Sequence, residues 1–488
     1  MPTMMMYFKQ LASESLVYGL SGVLSSFLSF FLVPFYTRVF SPEDYGVLSL
    51  VTTTMALLAI FVVLALDNSA HRWYWDTEDL HERKVTLASW TWCQISISLA
   101  FGSLVFFLSP WLGRVLVGRE DAVFYFRLAA MTLPLGVLNM VILNWFRMQR
   151  RPWAALFFSL STNLFNFLLT LTLVVLLRWG LTGVYVAQAI SFAIGTTLAA
   201  LWLGDWIAFR RFQWSRLTAM LKYALPMVPA GIAYFIVNLS SRYFIRGFLS
   251  TSEVGVYQVG STVAYVVALV TGAFQFAWGP FAMSIHKQSD SKKVYAEVLL
   301  AYLWVTCLIS TVISLFSTEI LSFFATESYM GASRIVSILS FNYVVIGLGY
   351  IATIGPSIMK TTKPYGIAMV IAGGLNIVLN FILVPRFGKE GSAAATLIAQ
   401  FIVPVYVFYY SQRLYPIPYR FGAALGIFSF AFVMATVGGR FGWSNSWLEM
   451  GLKLLLILLF FPLLFILRIV SLDQVRKILL SQQMGIKG

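Results

Sequence analysis

The stretch Pro34-Phe-Tyr-Thr-Arg38-Val-Phe-Ser41-Pro42-Glu43-Asp44-Tyr-Gly46 stands between two long apolar runs, 13–33 and 45–66. Each run is close to the roughly 20 mainly apolar residues that a helix needs to cross a bilayer. The stretch between them carries a helix start. Ser41-Pro42 followed by Glu43 and Asp44 reads as an N-cap with proline in the first turn and acids against the positive end of the helix dipole. Capping is therefore the first use to assign to those two acids.

The pattern of run and connection continues to the end of the chain. Further apolar runs fall at about 86–109, 122–143, 153–177, 181–203, 223–245, 254–276, 295–317, 332–354, 366–385, 391–411, 420–437 and 447–469. They are continuous, whereas a closed β-barrel needs short alternating segments. Composition agrees: 59% of residues are hydrophobic, 11% are charged and the mean hydropathy is +0.81, against about a quarter charged in a soluble domain. The expected fold is an all-α polytopic membrane protein of about fourteen transmembrane helices. The first run follows Lys9, contains Glu14 and lacks a small-residue cleavage site before Pro34, so it reads as a retained signal-anchor helix. Cys93 and Cys307 both lie inside apolar runs and read as buried thiols.

Charge sets an orientation. Of the 34 Lys and Arg, 21 fall in one set of connections and 8 in the opposite set. The rich set includes Arg72, Arg83, Lys84, Arg147, Arg150, Arg151, Arg210, Arg211, Lys292, Lys293, Lys360 and Lys363; the poor set includes Arg38, Arg114, Arg119, Arg178, Arg246 and Lys389. By the positive-inside rule both termini are expected in the cytoplasm, which requires an even number of spans. The net charge of +15 is thereby spent on topology and on anionic membrane lipids rather than on nucleic acid.

The chain also repeats itself. Tyr36 to Val47 aligns with Phe244 to Val256, pairing Arg38 with Arg246 and Asp44-Tyr-Gly-Val with Glu253-Val-Gly-Val. Arg151-Pro152 aligns with Lys363-Pro364, and Arg178-Trp-Gly-Leu-Thr-Gly183 with Arg386-Phe-Gly-Lys-Glu-Gly391. Offsets of 208, 212 and 208 residues are mutually consistent. A duplicated six-helix unit follows, with both copies in one orientation because six is even. The expected domains are an N-lobe over 1–210, a C-lobe over 211–415 with a cavity between the lobes, and two accessory spans with a tail over 416–488. Pro226-Met-Val-Pro229, near the start of the seventh span, is the expected bend.

At these residues the chain resembles the Wzx-type polysaccharide flippases, in a superfamily that includes multidrug and toxin extruders and lipid II flippases. The resemblance rests on Pro34 to Gly46, on Gln275-Phe-Ala-Trp-Gly-Pro-Phe281, and on Arg242 in span 7, where members often carry an Asp-Arg pair and this chain has Ser241-Arg242. It implies a bacterial inner (cytoplasmic) membrane protein. Its substrate would be an undecaprenyl-diphosphate-linked glycan moved outward for O-antigen or exopolysaccharide synthesis, alongside other polysaccharide assembly proteins.

Carrying a pyrophosphate through hydrocarbon calls for cations in the cavity. Cationic side chains in apolar runs are costly unless they face water or a partner, which makes Arg242, Arg127, Arg38, Arg246 and Arg334 the substrate-site candidates. Tyr234 and Asn238, one turn apart on span 7, are candidate sugar contacts, and Glu14 is the candidate for proton or sodium coupling. Asn376 and Asn380 read as interhelical hydrogen-bonding groups. The acids around His71 and His81 (Asp76, Glu78, Asp79 and Glu82) are irregularly spaced and read as a solvated loop. No phosphate-binding glycine loop, zinc signature or nucleophile elbow is present, and the longest connections are about 20 residues, so neither an enzyme nor a bound cofactor or metal is expected. The alternatives are an ion-coupled small-molecule (multidrug-type) exporter, which would need an acid-lined cavity, and a non-transporting membrane scaffold.

Overall fold

A computed structural model describes residues 22, 24–438 and 446–462. Glu14 and the tail beyond 462 lie outside the described residues. All regular elements among those described are helical, and eleven helices are long and apolar enough to cross a membrane. The chain is an all-α polytopic membrane protein. Its outward side chains suit lipid: Phe107, Leu201 and Leu176 are each about three-quarters exposed, a surface that water would not tolerate at this density.

A first apolar helix α1 (Leu24–Val39) leads into α2 (Pro42–Val63). The expected cap is in place: Ser41 is extended and its Oγ accepts the Asp44 backbone N–H at 3.2 Å, with Pro42 opening the helix. The end of α2 departs from the sequence pattern. Leu64 and Ala65 both take left-handed φ, 50° and 54°, a costly conformation for residues with a Cβ. The apolar run breaks there into α3 (Leu66–Trp75), and the carbonyl of Val63 receives Gln94 Nε2 at 3.2 Å.

Next come α4 (Leu80–Leu112), α5 (Ala122–Met148), α6 (Pro152–Thr170) and α7 (Gly180–Leu203). α4 and α6 each end in a π-helical turn, Gly113–Val117 and Leu171–Leu176. The seventh span is in pieces: α8 (Trp214–Ala224), a 3₁₀ turn Leu225–Met227, α9 (Val228–Leu239) and α10 (Ser241–Phe248). The turn falls at the expected Pro226–Pro229 bend, and Ser240 makes a second break. α11 (Thr251–Ile285), α12 (Ser291–Leu315), α13 (Ser317–Phe324), α14 (Ser333–Ala352), α15 (Ile354–Ile358), α16 (Lys363–Leu414), α17 (Phe421–Gly438) and α18 (Ser446–Leu458) follow. At 52 residues, α16 as one straight rod would be about 78 Å long, more than twice the hydrocarbon thickness. It breaks at Gly388, whose φ of 63° and ψ of −144° only glycine adopts readily.

The chain forms two compact units. One gathers 1–262, 324–331 and 369–399; the other gathers 263–323, 332–368 and 400–488. The first has an aromatic core that includes Trp90, Trp145, Phe146 and Phe158. In the second, α12 packs on α14 and α17. There Trp278, of the Trp-Gly-Pro stretch, is buried and donates its Nε1–H to the Tyr350 carbonyl at 3.2 Å. That motif is a packing anchor. Lys453, the buried lysine of α18, pairs with Glu319 and Glu449.

Candidate functional site

The break at Ser240 creates a place for a buried charge. Where α9 stops and α10 starts, carbonyls lose their helical partners and must find others. Arg242, one residue into α10 and 6% exposed, supplies one: its Nη1 donates to the Asn238 carbonyl at 3.1 Å. Its Nε and Nη2 both donate to Gln258 Oε1 on α11, at 3.1 and 2.9 Å. Tyr257 lies under the guanidinium with its ring centroid 5.6 Å away. Gln258 in turn accepts from Ser49 Oγ of α2 at 3.0 Å, and Tyr243 bonds Thr54 of α2 at 2.9 Å. Arg242 is thus held on oxygen acceptors of α9 and α11, with Ser49 of α2 bracing Gln258 from the other side.

The break is braced from behind by a second, neutral network. Ser241 Oγ meets Thr396 Oγ1 at 3.0 Å, Ser240 Oγ donates to Asn376 Oδ1 at 3.4 Å, and Asn380 Nδ2 donates to Asn376 Oδ1 at 3.0 Å. All five side chains are buried. Asn376 and Asn380 therefore act as the interhelical ties the sequence suggested, and Ser241, where an acid is common, is one of them.

Tyr234, Asn238 and Arg242 succeed one another at intervals of four residues and form one stripe. Tyr234 is half exposed, and Asn238 turns its amide back to the Tyr234 carbonyl at 3.0 Å. These three candidates come together. The other arginines do not join them. Arg246, one turn on, donates to the Val117 carbonyl at 2.8 Å and packs its guanidinium against Gly118, where a Cβ would overlap it. Arg38 is exposed, with Nη1 reaching the Pro34 carbonyl at 3.4 Å. Arg334 is exposed in the second unit. Arg127 is exposed on α5, bonded to Ser109 Oγ at 3.1 Å and stacked on Phe106 at 5.0 Å.

Arg127 can be placed against a half-open cavity of about 210 Å³ lined by α2, α5 and α7. Gly136 lines that cavity. Nine residues at about 100° each set Arg127 roughly half a turn away from Gly136, so Arg127 faces away from it.

A different arrangement fills the region of the 38–47 and 246–256 segments. α2 and α11 cross at their first turns. A methyl group on Gly46 would overlap the carbonyl oxygen of Thr251, and one on Gly255 would overlap that of Pro42. The two contacts are mirror copies: Gly46 and Gly255 are 209 residues apart, as are Pro42 and Thr251. Around them Arg119 pairs with Asp44 at 2.8 Å, Lys389 with Glu253 at 2.6 Å, Thr251 Oγ1 donates to Val117 O at 2.9 Å, and Tyr329 OH donates to Phe40 O at 2.8 Å. Asp121, then Asp44, push the Arg119 pKa above its usual value, so this guanidinium stays charged.

Sequence reading missed Gln258 and the Gly46–Gly255 crossing. An amide inside an apolar run was the signal for the first. For the second, the repeat alignment held the pair but said nothing of contact. Among the described residues, no group of three His, Cys, Asp or Glu side chains is placed to hold a metal ion.

A multi-pass helical fold with broken spans defines a class, the all-α polytopic membrane proteins. Residues 11–286, more than half the chain, match the family described as polysaccharide biosynthesis protein. The chain belongs to that family. It is 24% identical over 282 residues to the succinoglycan biosynthesis transport protein ExoT of Rhizobium meliloti, a match covering 56% of this chain and 54% of that protein's length. In structure it is similar to the lipid II flippase MurJ in an inward closed conformation, with TM-score 0.71 and 17% identity over 91% of this chain and 98% of the other. It is also similar to an inward-facing multidrug resistance transporter of the MATE family, with TM-score 0.64 and 16% identity over 82% and 96%. These two likenesses establish the fold.

Proposed function

We propose that this chain is a flippase that moves an undecaprenyl-diphosphate-linked oligosaccharide repeat unit from the cytoplasmic to the outer leaflet of the bacterial inner membrane by alternating access. Membership of a polysaccharide biosynthesis family supports the substrate class, and the flippase and exporter folds support the mode of action. The observation that carries the reading is Arg242. A guanidinium buried in a membrane span on side-chain acceptors can trade Gln258 and Ser261 for phosphate oxygens as a lipid diphosphate arrives, gaining charge-assisted hydrogen bonds. Tyr234 and Asn238 continue the same stripe toward the sugars. No covalent chemistry is required, so the protein is a transporter rather than an enzyme.

The finer architecture belongs to the same proposal. α16 counts as two spans either side of Gly388; α1 and α18 add the first and last, giving fourteen. Two lobes, 1–210 and 211–415, with accessory spans over 416–488, are supported by backbone as well as sequence. Gly180 and Gly388, which the repeat aligns 208 residues apart, share positive φ of 58° and 63°. Both termini are assigned to the cytoplasm. Coupling to a proton or sodium ion stays attached to Glu14, outside the described residues.

The test is reconstitution in vesicles with a fluorescent lipid-diphosphate glycan whose outer-leaflet fraction is read by quenching. Wild type is expected to equilibrate the leaflets and Arg242→Ala to slow this strongly. Equal rates for wild type and protein-free vesicles, across glycans, would sink the reading.

A further inference from the structure

Alternating access requires the outward end of the molecule to open and shut, so the contacts that close it must be of a kind that can break. Charge marks that end. Connections after odd-numbered spans, among them 34–44 and 318–331, carry the fewer Lys and Arg and face outward in the topology above. The first of these belongs to the first repeat and the second to the second repeat.

α1 stops at Val39 and leaves carbonyls of its last turn without helical partners. The later segment supplies donors for them. Thr326 Oγ1 donates to the Thr37 carbonyl at 3.2 Å, and Tyr329 OH donates to the Phe40 carbonyl at 2.8 Å. In return the Thr37 hydroxyl donates to the Phe324 carbonyl at 2.9 Å, sharing its proton with the Val33 carbonyl. Rings close over these bonds: Phe324 packs on Phe30 at 5.0 Å and Tyr329 stands edge-on to Tyr45 at 6.1 Å. Thr37 is left 1% exposed and Tyr329 fully buried.

The segment is a short excursion of the chain. Residues 324–331 pack in the first unit, whereas the chain on either side, up to 323 and from 332, belongs to the second. It meets α1 through hydroxyls, rings and carbonyls, and water can replace each hydrogen bond when the two part. The α2–α11 crossing nearby is of the opposite kind, with backbone against backbone at Gly46 and Gly255 and no room for water. A few exchangeable bonds, carried on a segment whose ends lead into helices packed elsewhere, make a local element that can open without unfolding its neighbours.

We propose that 324–331 is a strap over the outer end of α1, closed in this structure, which lifts off Thr37, Phe40 and Tyr45 in each transport cycle to let the glycan leave. The assignment of that role rests on the flippase reading above.

Two measurements test this. In a Cys93→Ser/Cys307→Ser background, Thr37→Cys and Thr326→Cys are joined by a short, reducible bis-methanethiosulfonate reagent. The joined protein is expected to flip the lipid-diphosphate glycan more slowly by about tenfold or more, and dithiothreitol to restore the rate. Thr326 is exposed, so Thr326→Cys alone, treated with the same reagent, serves as the control and should keep most of its rate. An undiminished rate in the joined protein overturns the strap while leaving the flippase reading standing. Failure of the two thiols to join overturns the contact itself.

The second measurement needs no transport, and so separates failure of the strap from failure of the flippase reading. A lone Thr37→Cys in the same background lies under the closed strap, so N-ethylmaleimide can reach it in folded protein only when the strap lifts. Slow alkylation is expected, and Tyr329→Phe, which removes only the hydroxyl held by Phe40, should speed it about fivefold. A thiol that never reacts while the protein stays folded, or a rate that Tyr329→Phe does not change, overturns the proposal.

Discussion

Arg242 and Arg246 stand one helical turn apart on α10, yet they meet opposite surroundings. Arg242 rests on side chains, Gln258 and Ser261, besides one carbonyl. Arg246 rests on backbone, the Val117 carbonyl and Gly118. Side-chain acceptors can rotate away and be replaced by a ligand's oxygens. Backbone acceptors inside a close helix crossing cannot move without moving the helices. The difference divides the span into a part suited to exchanging partners and a part suited to holding two helices together. It also divides repeat-related positions: Arg246 aligns with Arg38 in the duplication, whereas Arg242 has gained a local acceptor set of its own.

The largest effect is expected at the held part. Gly255→Val, or Gly46→Val, drives a branched side chain into a backbone carbonyl of the facing helix, where no rotamer offers relief. Overpacking of this kind costs about 3 kcal/mol or more. The thermal midpoint of purified protein in detergent should fall clearly for either variant, and by similar amounts because the two contacts are copies. An unchanged midpoint would mean that the crossing is not tight.

At the exchanging part, Arg242→Ala is expected to slow lipid-diphosphate flipping about 30-fold, or about 2 kcal/mol in the barrier. Arg242→Lys should recover only part, because a lysine cannot reproduce the planar fork that spans Gln258 and Asn238. Expression and thermal midpoint must stay close to wild type for the rate to report on the site. Full activity of Arg242→Ala under those conditions would erase the distinction from Arg246.

How far these regions were legible in the sequence differs for physical reasons. Apolar run length located the spans, because a bilayer imposes it, and Ser41-Pro42 and Pro226–Pro229 announced a cap and a bend through backbone chemistry. The break at Leu64–Ala65 carries neither glycine nor proline, so local propensity gave no notice; tertiary contacts such as Gln94 on the Val63 carbonyl help to hold it. The stripe of Tyr234, Asn238 and Arg242 was visible from spacing. The direction of Arg127 was not. A helix apolar on every side has no hydrophobic face from which to read rotation, and only packing fixes it.

Arg127 therefore provides the next contrast. It is exposed, bonded to one serine and stacked on Phe106, an arrangement that lets an arginine reach headgroups from a helix end. Such contacts are worth about 0–1 kcal/mol. Arg127→Ala is expected to leave flipping within about twofold of wild type. A loss comparable with that of Arg242→Ala would place Arg127 on the substrate path and extend the exchanging region to α5.

The smallest expected effect lies where α7 ends. Asp205, in the turn after Leu203, accepts from Arg211 at 2.6 Å, Lys84 at 2.7 Å and Arg210 at 3.0 Å. Hydrogen bonds from Arg211 first, then Lys84 and Arg210, hold its carboxyl well below the usual carboxylate range. A depressed folded-state pKa means that the carboxylate stabilises the fold above its unfolded value of about 4. That contribution is lost progressively as pH falls below it, toward the folded value. Wild type should therefore lose thermal stability on acidification below about pH 4, while Asp205→Asn starts slightly lower at neutral pH and falls less. The difference is small because Asp205 is partly solvated and its pairs are screened, so it should shrink further in high salt. An acid-induced fall of equal size in Asp205→Asn would assign the titration to other carboxylates and leave this cluster without a measurable part in stability.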